Sequence, residues 1–134
     1  MSSGFVHLHT HSSYSPMWGI PTLETLCQAA RTQGQDRLAL TDTNGLYGAI
    51  RFLEVAKHEG LKPILGAELV HKAHRAVLLA KTPAGYANLC RLLSARHEES
   101  TFDFIAAVAR YRAGLIILSD DVSALRTWRK DSPK

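Results

Sequence analysis

Short apolar runs alternate with capped amphipathic stretches along most of this chain, and no other feature restricts its fold as strongly. Strand-like runs followed by helix periodicity build βα units, so the pattern predicts an α/β architecture. At 134 residues, 46% of them hydrophobic, the chain fits one domain with a real core, and no low-complexity stretch or linker divides it.

A first strand is expected at Phe5 to Thr10. A helix from Pro21 to Gln33 places Leu23, Leu26, Cys27 and Ala30 at i, i+3, i+4 and i+7, with Gly34 as its C′ residue. Arg37 to Thr41 is a brief buried-type strand. After the loop Asp42-Thr43-Asn44-Gly45 comes a helix with Leu46, Ala49, Ile50 and Leu53 on one face, closed by Gly60. Leu61 to Val70 reads as a strand entered through Pro63 and broken around Gly66, where a bend or a close approach is expected. His74 to Ala80 forms another. Thr82-Pro83 starts a helix, because threonine caps free N–H groups and proline suits the first helical position; its stripe is Tyr86, Leu89, Cys90 and Leu93. A further helix starts near Ser100 or Thr101, turns Phe102, Ile105, Ala106 and Ala109 inward and stops at Gly114. Leu115 to Leu118 is the last strand. Residues 120–134 read as a polar tail with a short helix through Val122 and Leu125.

Charge and cysteine usage set broad bounds. Sixteen Lys+Arg against twelve Asp+Glu give +4, which tolerates a phosphate-bearing partner without requiring one. Cys27 and Cys90 sit in helical patterns among apolar neighbours and read as small buried hydrophobes, which points to a reducing, cytoplasmic compartment. No stretch approaches a membrane span, and Met1-Ser2-Ser3-Gly4 lacks the order of a secretion signal. The absence of a Walker-type loop and of a Cys-x-x-Cys pair disfavours nucleoside triphosphate hydrolysis and a zinc ribbon.

The densest chemistry lies in His7-Leu8-His9-Thr10-His11. Side chains at i, i+2 and i+4 of a strand share a face, and neutral imidazole is the commonest transition-metal ligand, so a His-x-His pair can aim two rings at one ion. A surface row of histidines is the alternative. Polar residues recur at other strand ends: Asp42 after the second strand, Glu68 near the end of the third, Asp120 and Asp121 after the last. His74 opens its strand instead. Strand ends are where α/β folds gather functional groups.

Four ordered motifs carry a resemblance. Phe5-Val6-His7-Leu8-His9-Thr10-His11-Ser12-Ser13-Tyr14-Ser15 resembles the opening of the polymerase and histidinol phosphatase (PHP) domain of bacterial DNA polymerase III alpha subunits. Leu38 to Asp42 with Gly45 to Ala49 is similar to its second motif, and Lys62-Pro63-Ile64-Leu65-Gly66-Ala67-Glu68 to its third. His74 with Val77 to Lys81 and Gly85 to Leu89, then Gly114 to Ser119, resemble later elements.

The resemblance implies an incomplete, distorted, TIM-like βα barrel of about five strands with flanking helices, cut short at its C-terminal end. It implies zinc, manganese or iron at the strand ends, polarising a phosphoester. By motif position His9, His11, Glu68 and His74 would hold metal, joined by Asp121 where members often carry Cys or His, with Asp42 and Glu68 as the catalytic carboxylates; His7 would be structural. Active members carry Asp-Gly where this chain has Trp18-Gly19, and Thr-Asp-His where it has Thr41-Asp42-Thr43. Indole is no ligand for such an ion, and one imidazole is missing. The expectation is therefore a module of DNA replication with a reduced metal site, metal-free in the limit, serving a structural or partner-binding role. The alternatives are a freestanding metal-dependent phosphoesterase or 3′→5′ exonuclease-type hydrolase, and a nonfunctional fragment. Expected partners are DNA or polymerase subunits, a phosphoester if active, no membrane, and a second copy covering a bare sheet edge.

Overall fold

Caps written into the sequence set where most of the helices begin. The computed structural model describes residues 4–130. Its elements are α1 (Leu23–Thr32), β1 (Arg37–Leu40), α2 (Ala49–Glu59), β2 (Lys62–His71), β3 (His74–Ala80), α3 (Pro83–Glu98), α4 (Phe104–Tyr111), β4 (Leu115–Leu118) and α5 (Val122–Lys130). Thr22, Thr82 and Asp103 accept the N–H groups of Thr25, Gly85 and Ala106 and so start α1, α3 and α4. Gly60, at φ 71°, closes α2 in the left-handed conformation that glycine adopts without strain.

The four strands form one sheet in the order β1-β2-β3-β4. β1 and β2 are parallel, joined through α2, while β2, β3 and β4 pair antiparallel. β2 changes partner along its length: Lys62 to Leu65 pair with β1, and Gly66 to His71 with β3. The strand is not broken at Gly66, but the expected close approach is there, since a Cβ at this residue would run into the Leu78 carbonyl oxygen.

Side chains alternate along a strand, so the registers sort them into two faces. Leu38, Leu40, Ala67, Leu69, Ala76 and Leu78 share one face, and every helix packs there. α1 and α2 bury Leu23, Cys27, Phe52 and Ala56 with Leu38 and Leu40. α3, α4 and α5 bury Leu89, Leu92, Val108 and Trp128 with Leu69 and Leu78. Each fully buried leucine contributes roughly 2 kcal/mol of transfer free energy. The opposite face carries Ala39, Ile64, Glu68, Val77, Leu79, Ile116 and Leu118, the last two 47% and 39% exposed. Glu68, on which the candidate site below is centred, lies on this helix-free face.

Four expectations are corrected. The described residues hold four strands, not about five: Phe5 to Thr10 is extended but forms no ladder. It runs beside β1, which donates from Ala39 N to His7 O (3.1 Å) and from Thr41 N to Thr10 O (2.9 Å). Three residues thus oppose two, and the return bond from Thr10 N ends on the Thr41 hydroxyl (2.8 Å) in place of a carbonyl. α2 starts at Ala49, so it buries Ala49, Phe52, Val55 and Ala56 and leaves Ile50 exposed. In the same way the Asp103 cap turns Phe104 and Val108 of α4 inward, while Ala106 is exposed. Residues 122–130 of the expected tail form α5, whose Trp128 is buried and donates Nε1–H to Ile105 O (3.0 Å). Asp131 to Lys134 lie outside the described residues.

Candidate metal centre

The three-against-two offset beside β1 separates the histidines that a regular strand would have aligned. His9 and His11 turn onto Glu68, their Nε2 atoms 2.5 and 2.6 Å from its Oε2, with the two rings perpendicular at 4.9 Å. His7 departs and packs edge-on against Phe5. Glu68 is buried on the helix-free face, His11 half-buried and His9 exposed, so the group opens to solvent on the His9 side. One donor atom from each of the three lies within 4.8 Å of the others, the single such group among the described residues.

Asp42 stands behind this group. Its Oδ1 accepts from Ser12 N (2.7 Å) and Ser15 Oγ (2.7 Å), and its Oδ2 from Ser12 Oγ (2.8 Å). Ser15 Oγ also accepts from Thr43 N (2.9 Å). Ser12, Ser15 and Asp42 are all buried, so the carboxylate ties the loop after His11 to the end of β1. Thr43 bridges Glu68 in the continued parallel register, which sets their side chains on one face. Asp42, one residue earlier, points the other way.

His74 and Asp121 meet elsewhere. His74 pairs with His71 across the β2–β3 hairpin, on the helix-covered face, and its ring stacks on Phe104 at 5.3 Å. Its Nδ1 lies 3.2 Å from Asp121 Oδ2. Asp121 Oδ1 accepts from Ala124 N, Ser123 Oγ and Ser123 N and thereby starts α5. The Ala124 N–H first, then the Ser123 hydroxyl, with His74 adding less, hold the Asp121 carboxyl below the usual carboxylate range. The structure therefore brings together His9, His11 and Glu68 from the expected set, and it places Asp42 behind them and His74 with Asp121 on the other face.

One residue of the region, Arg75, was absent from the sequence reading. Arg75 and Val77 alternate on β3 onto the face of Glu68, and Arg75 Nη2 donates to Asp120 Oδ2 (2.9 Å). His9, Glu68, Arg75, Val77, Leu118 and Asp120 line a cavity of about 370 Å³. The period-2 pattern of β3 carries the signal for Arg75 once Glu68 is chosen as its reference. Thr43, which the sequence marks as standing where the family pattern has His, presents a buried Oγ1 with no hydrogen-bond partner beside Glu68, a position that favours a further polar group in the site.

Two imidazoles and a carboxylate converging on the open face of a helix-backed sheet give an α/β domain with one group whose donor atoms could hold a metal ion. The chain belongs to the PHP domain family, whose model matches residues 7–127. It is 47% identical over 94 residues to an error-prone DNA polymerase of Symbiobacterium thermophilum, covering 69% of this chain and 9% of the polymerase. It is 35% identical over 136 residues to the DNA polymerase III subunit alpha of Treponema pallidum, covering 86% of this chain and 12% of the subunit. The chain thus spans about a tenth of the length of these relatives. Among solved structures, a candidate metal-dependent phosphoesterase from Bifidobacterium adolescentis shares the fold with a TM-score of 0.51 at 16% identity, over 84% of this chain and 52% of that one.

Proposed function

We propose that this chain is a PHP module working in DNA replication within or beside a polymerase III alpha-type chain, in the cytoplasm, and that it holds one divalent ion through His9, His11 and Glu68. The convergence of both imidazoles on Glu68 Oε2 carries the reading. Two nitrogens and one oxygen suit zinc, manganese or iron, and the orphan Thr43 hydroxyl beside them fits a wet, polar site. With Trp18 and Thr43 where the family pattern has Asp and His, and with His74 on the other face, the donor set supports a single ion. Asp42 positions the loop that presents His11.

The sheet, with all its helices on one face, is read as part of the wall of a distorted βα barrel whose interior is the Glu68 face. The described residues form one unit of that barrel. Its role is chiefly structural, with polymerase segments, DNA or a second copy of the chain covering what the helices leave bare.

Phosphoester hydrolysis is the second reading, favoured by the cavity of about 370 Å³ that opens from the group. A bound divalent ion would supply Lewis-acid polarisation of a phosphoryl oxygen. Glu68 would orient the two imidazoles, and His9, on the exposed side, would face the entering ligand.

Elemental mass spectrometry of the purified chain, with a phosphodiester hydrolysis assay beside it, tests both. The expected result is about one metal per chain, lost in His9→Ala/His11→Ala. A folded chain that takes up no metal would overturn the metal site, and metal without hydrolysis would leave the structural role alone.

A further inference from the structure

We propose that Asn44 holds Glu68 in place for metal, by carrying the β1–β2 ladder one rung past the point where the chain leaves the sheet, with His97 of α3 locking it there. The inference rests on the metal reading above and assigns a positioning role to two residues that reading leaves unused.

Beyond β1 the parallel pairing resumes at Thr43, which bridges Glu68. Glu68 N donates to Asp42 O (3.0 Å) and Asn44 N to Glu68 O (2.8 Å), the two bonds that a parallel ladder gives to one residue. The next rung of such a ladder would run from Val70 N to the Asn44 main-chain oxygen. It runs instead to Asn44 Oδ1 (2.7 Å). Asn44 has φ 52°, so its main chain has already turned out of the sheet, and its side chain stands in for the carbonyl that turned away. That carbonyl accepts from His97 Nε2 (2.7 Å), and the Val70 oxygen accepts from Arg96 Nε (2.9 Å). Two neighbouring residues in the last turn of α3 thus close both main-chain oxygens that the departing loop leaves open.

The residue type follows from two demands made at one position. A left-handed backbone strains most side chains but is adopted by glycine, asparagine and aspartate, and of these only the last two carry an acceptor. The consequence falls on Glu68, whose Oε2 must meet His9 Nε2 and His11 Nε2 at once, at 2.5 and 2.6 Å. A binding constellation of this kind has to be held to within about 0.5 Å. The main-chain bonds on either side of Glu68 supply that precision, and the Asn44 side chain anchors the loop that makes them.

The test is calorimetric titration with zinc alone of the full chain and of Asn44→Gly, Asn44→Asp and His97→Ala, with the thermal melting of each metal-free chain followed by circular dichroism. Asn44→Gly keeps the left-handed turn and removes only the acceptor, so it should bind zinc about tenfold or more weakly, the range for groups that orient metal ligands. Asn44→Asp restores the acceptor and should recover the affinity of the parent. His97→Ala, at an exposed position of α3, should weaken zinc binding in the same direction by a smaller factor. A merely structural Asn44 would lower the melting temperature of Asn44→Gly and leave the zinc affinity of the folded chain untouched. That result, or equal weakening in Asn44→Gly and Asn44→Asp, overturns the positioning role and leaves the metal site standing. If Asn44→Gly does not fold, parent-like zinc affinity in His97→Ala overturns the role and weakened affinity upholds it. Failure of the parent chain to load zinc overturns the metal site, and the positioning role with it.

Discussion

Asp42 sets a measurable expectation at the scale of single residues. Its side chain satisfies three donors from Ser12 and Ser15 inside the protein, and removal of one partner leaves buried donors that cost roughly 1–3 kcal/mol apiece. Asp42→Ala should therefore lower stability by about 3 kcal/mol in urea unfolding and weaken metal binding through the displaced His11 loop. A change below about 0.5 kcal/mol would show that the loop stands without it. Asp42 was legible as a polar residue at a strand end, but its facing was not: alternation past β1 decides that, and only the Thr43–Glu68 bridge fixes the register. His9, His11 and Glu68 were legible by type and place; the offset that excludes His7 is a matter of backbone bonds that no side-chain pattern encodes. The cysteines make a second case. Burial pushes the Cys27 thiol up to about 11, with Glu59 and Glu24 adding to it, while Cys90 is half-buried. A thiol reagent should label Cys90 well before Cys27 in the folded chain. The unfolded chain releases the Cys27 proton first as pH rises, so its contribution to stability falls from about pH 9 toward pH 11. Equal labelling of both thiols would refute the burial.

Helices and strands were largely legible as elements, because caps and apolar runs are local. Thr82-Pro83 at the start of α3, Gly60 at the end of α2 and the runs of β1, β3 and β4 all stand where composition put them. The errors lie in facing, since a helix that starts three residues later buries a different stripe, as α2 does. α5 is the larger lesson. Its charged residues read as a solvated end, yet Ala124 and Trp128, four residues apart, make one apolar stripe against Phe104. Trp128→Ala should cost about 3–5 kcal/mol, the range for a buried aromatic truncated in a core. Circular dichroism through a denaturant series measures it. A variant as stable as the parent would return residues 122–130 to the status of a tail.

For the whole molecule, the decisive fact is that, among the described residues, five helices share one face of a four-stranded sheet. The other face shows Ile116 and Leu118 to solvent, and β4 ends the sheet with an edge that no other strand of the described residues pairs. Exposed apolar side chains next to unpaired backbone donors and acceptors favour association with another sheet. The sequence held this result in the period-2 pattern of β2 and β3, but which alternate set the helices cover depends on how the whole chain closes. On its own, the chain should associate through β4, giving a molar mass by light scattering that rises with concentration from 14.8 kDa toward twice that value. Ile116→Lys places a charge on that face, outside the cavity lining, and should hold the chain at the monomer mass while leaving metal content unchanged. A parent chain that stays monomeric to the limit of its solubility would exclude a second copy as the cover. On the proposed reading, the bare face would then fall to a partner of another kind.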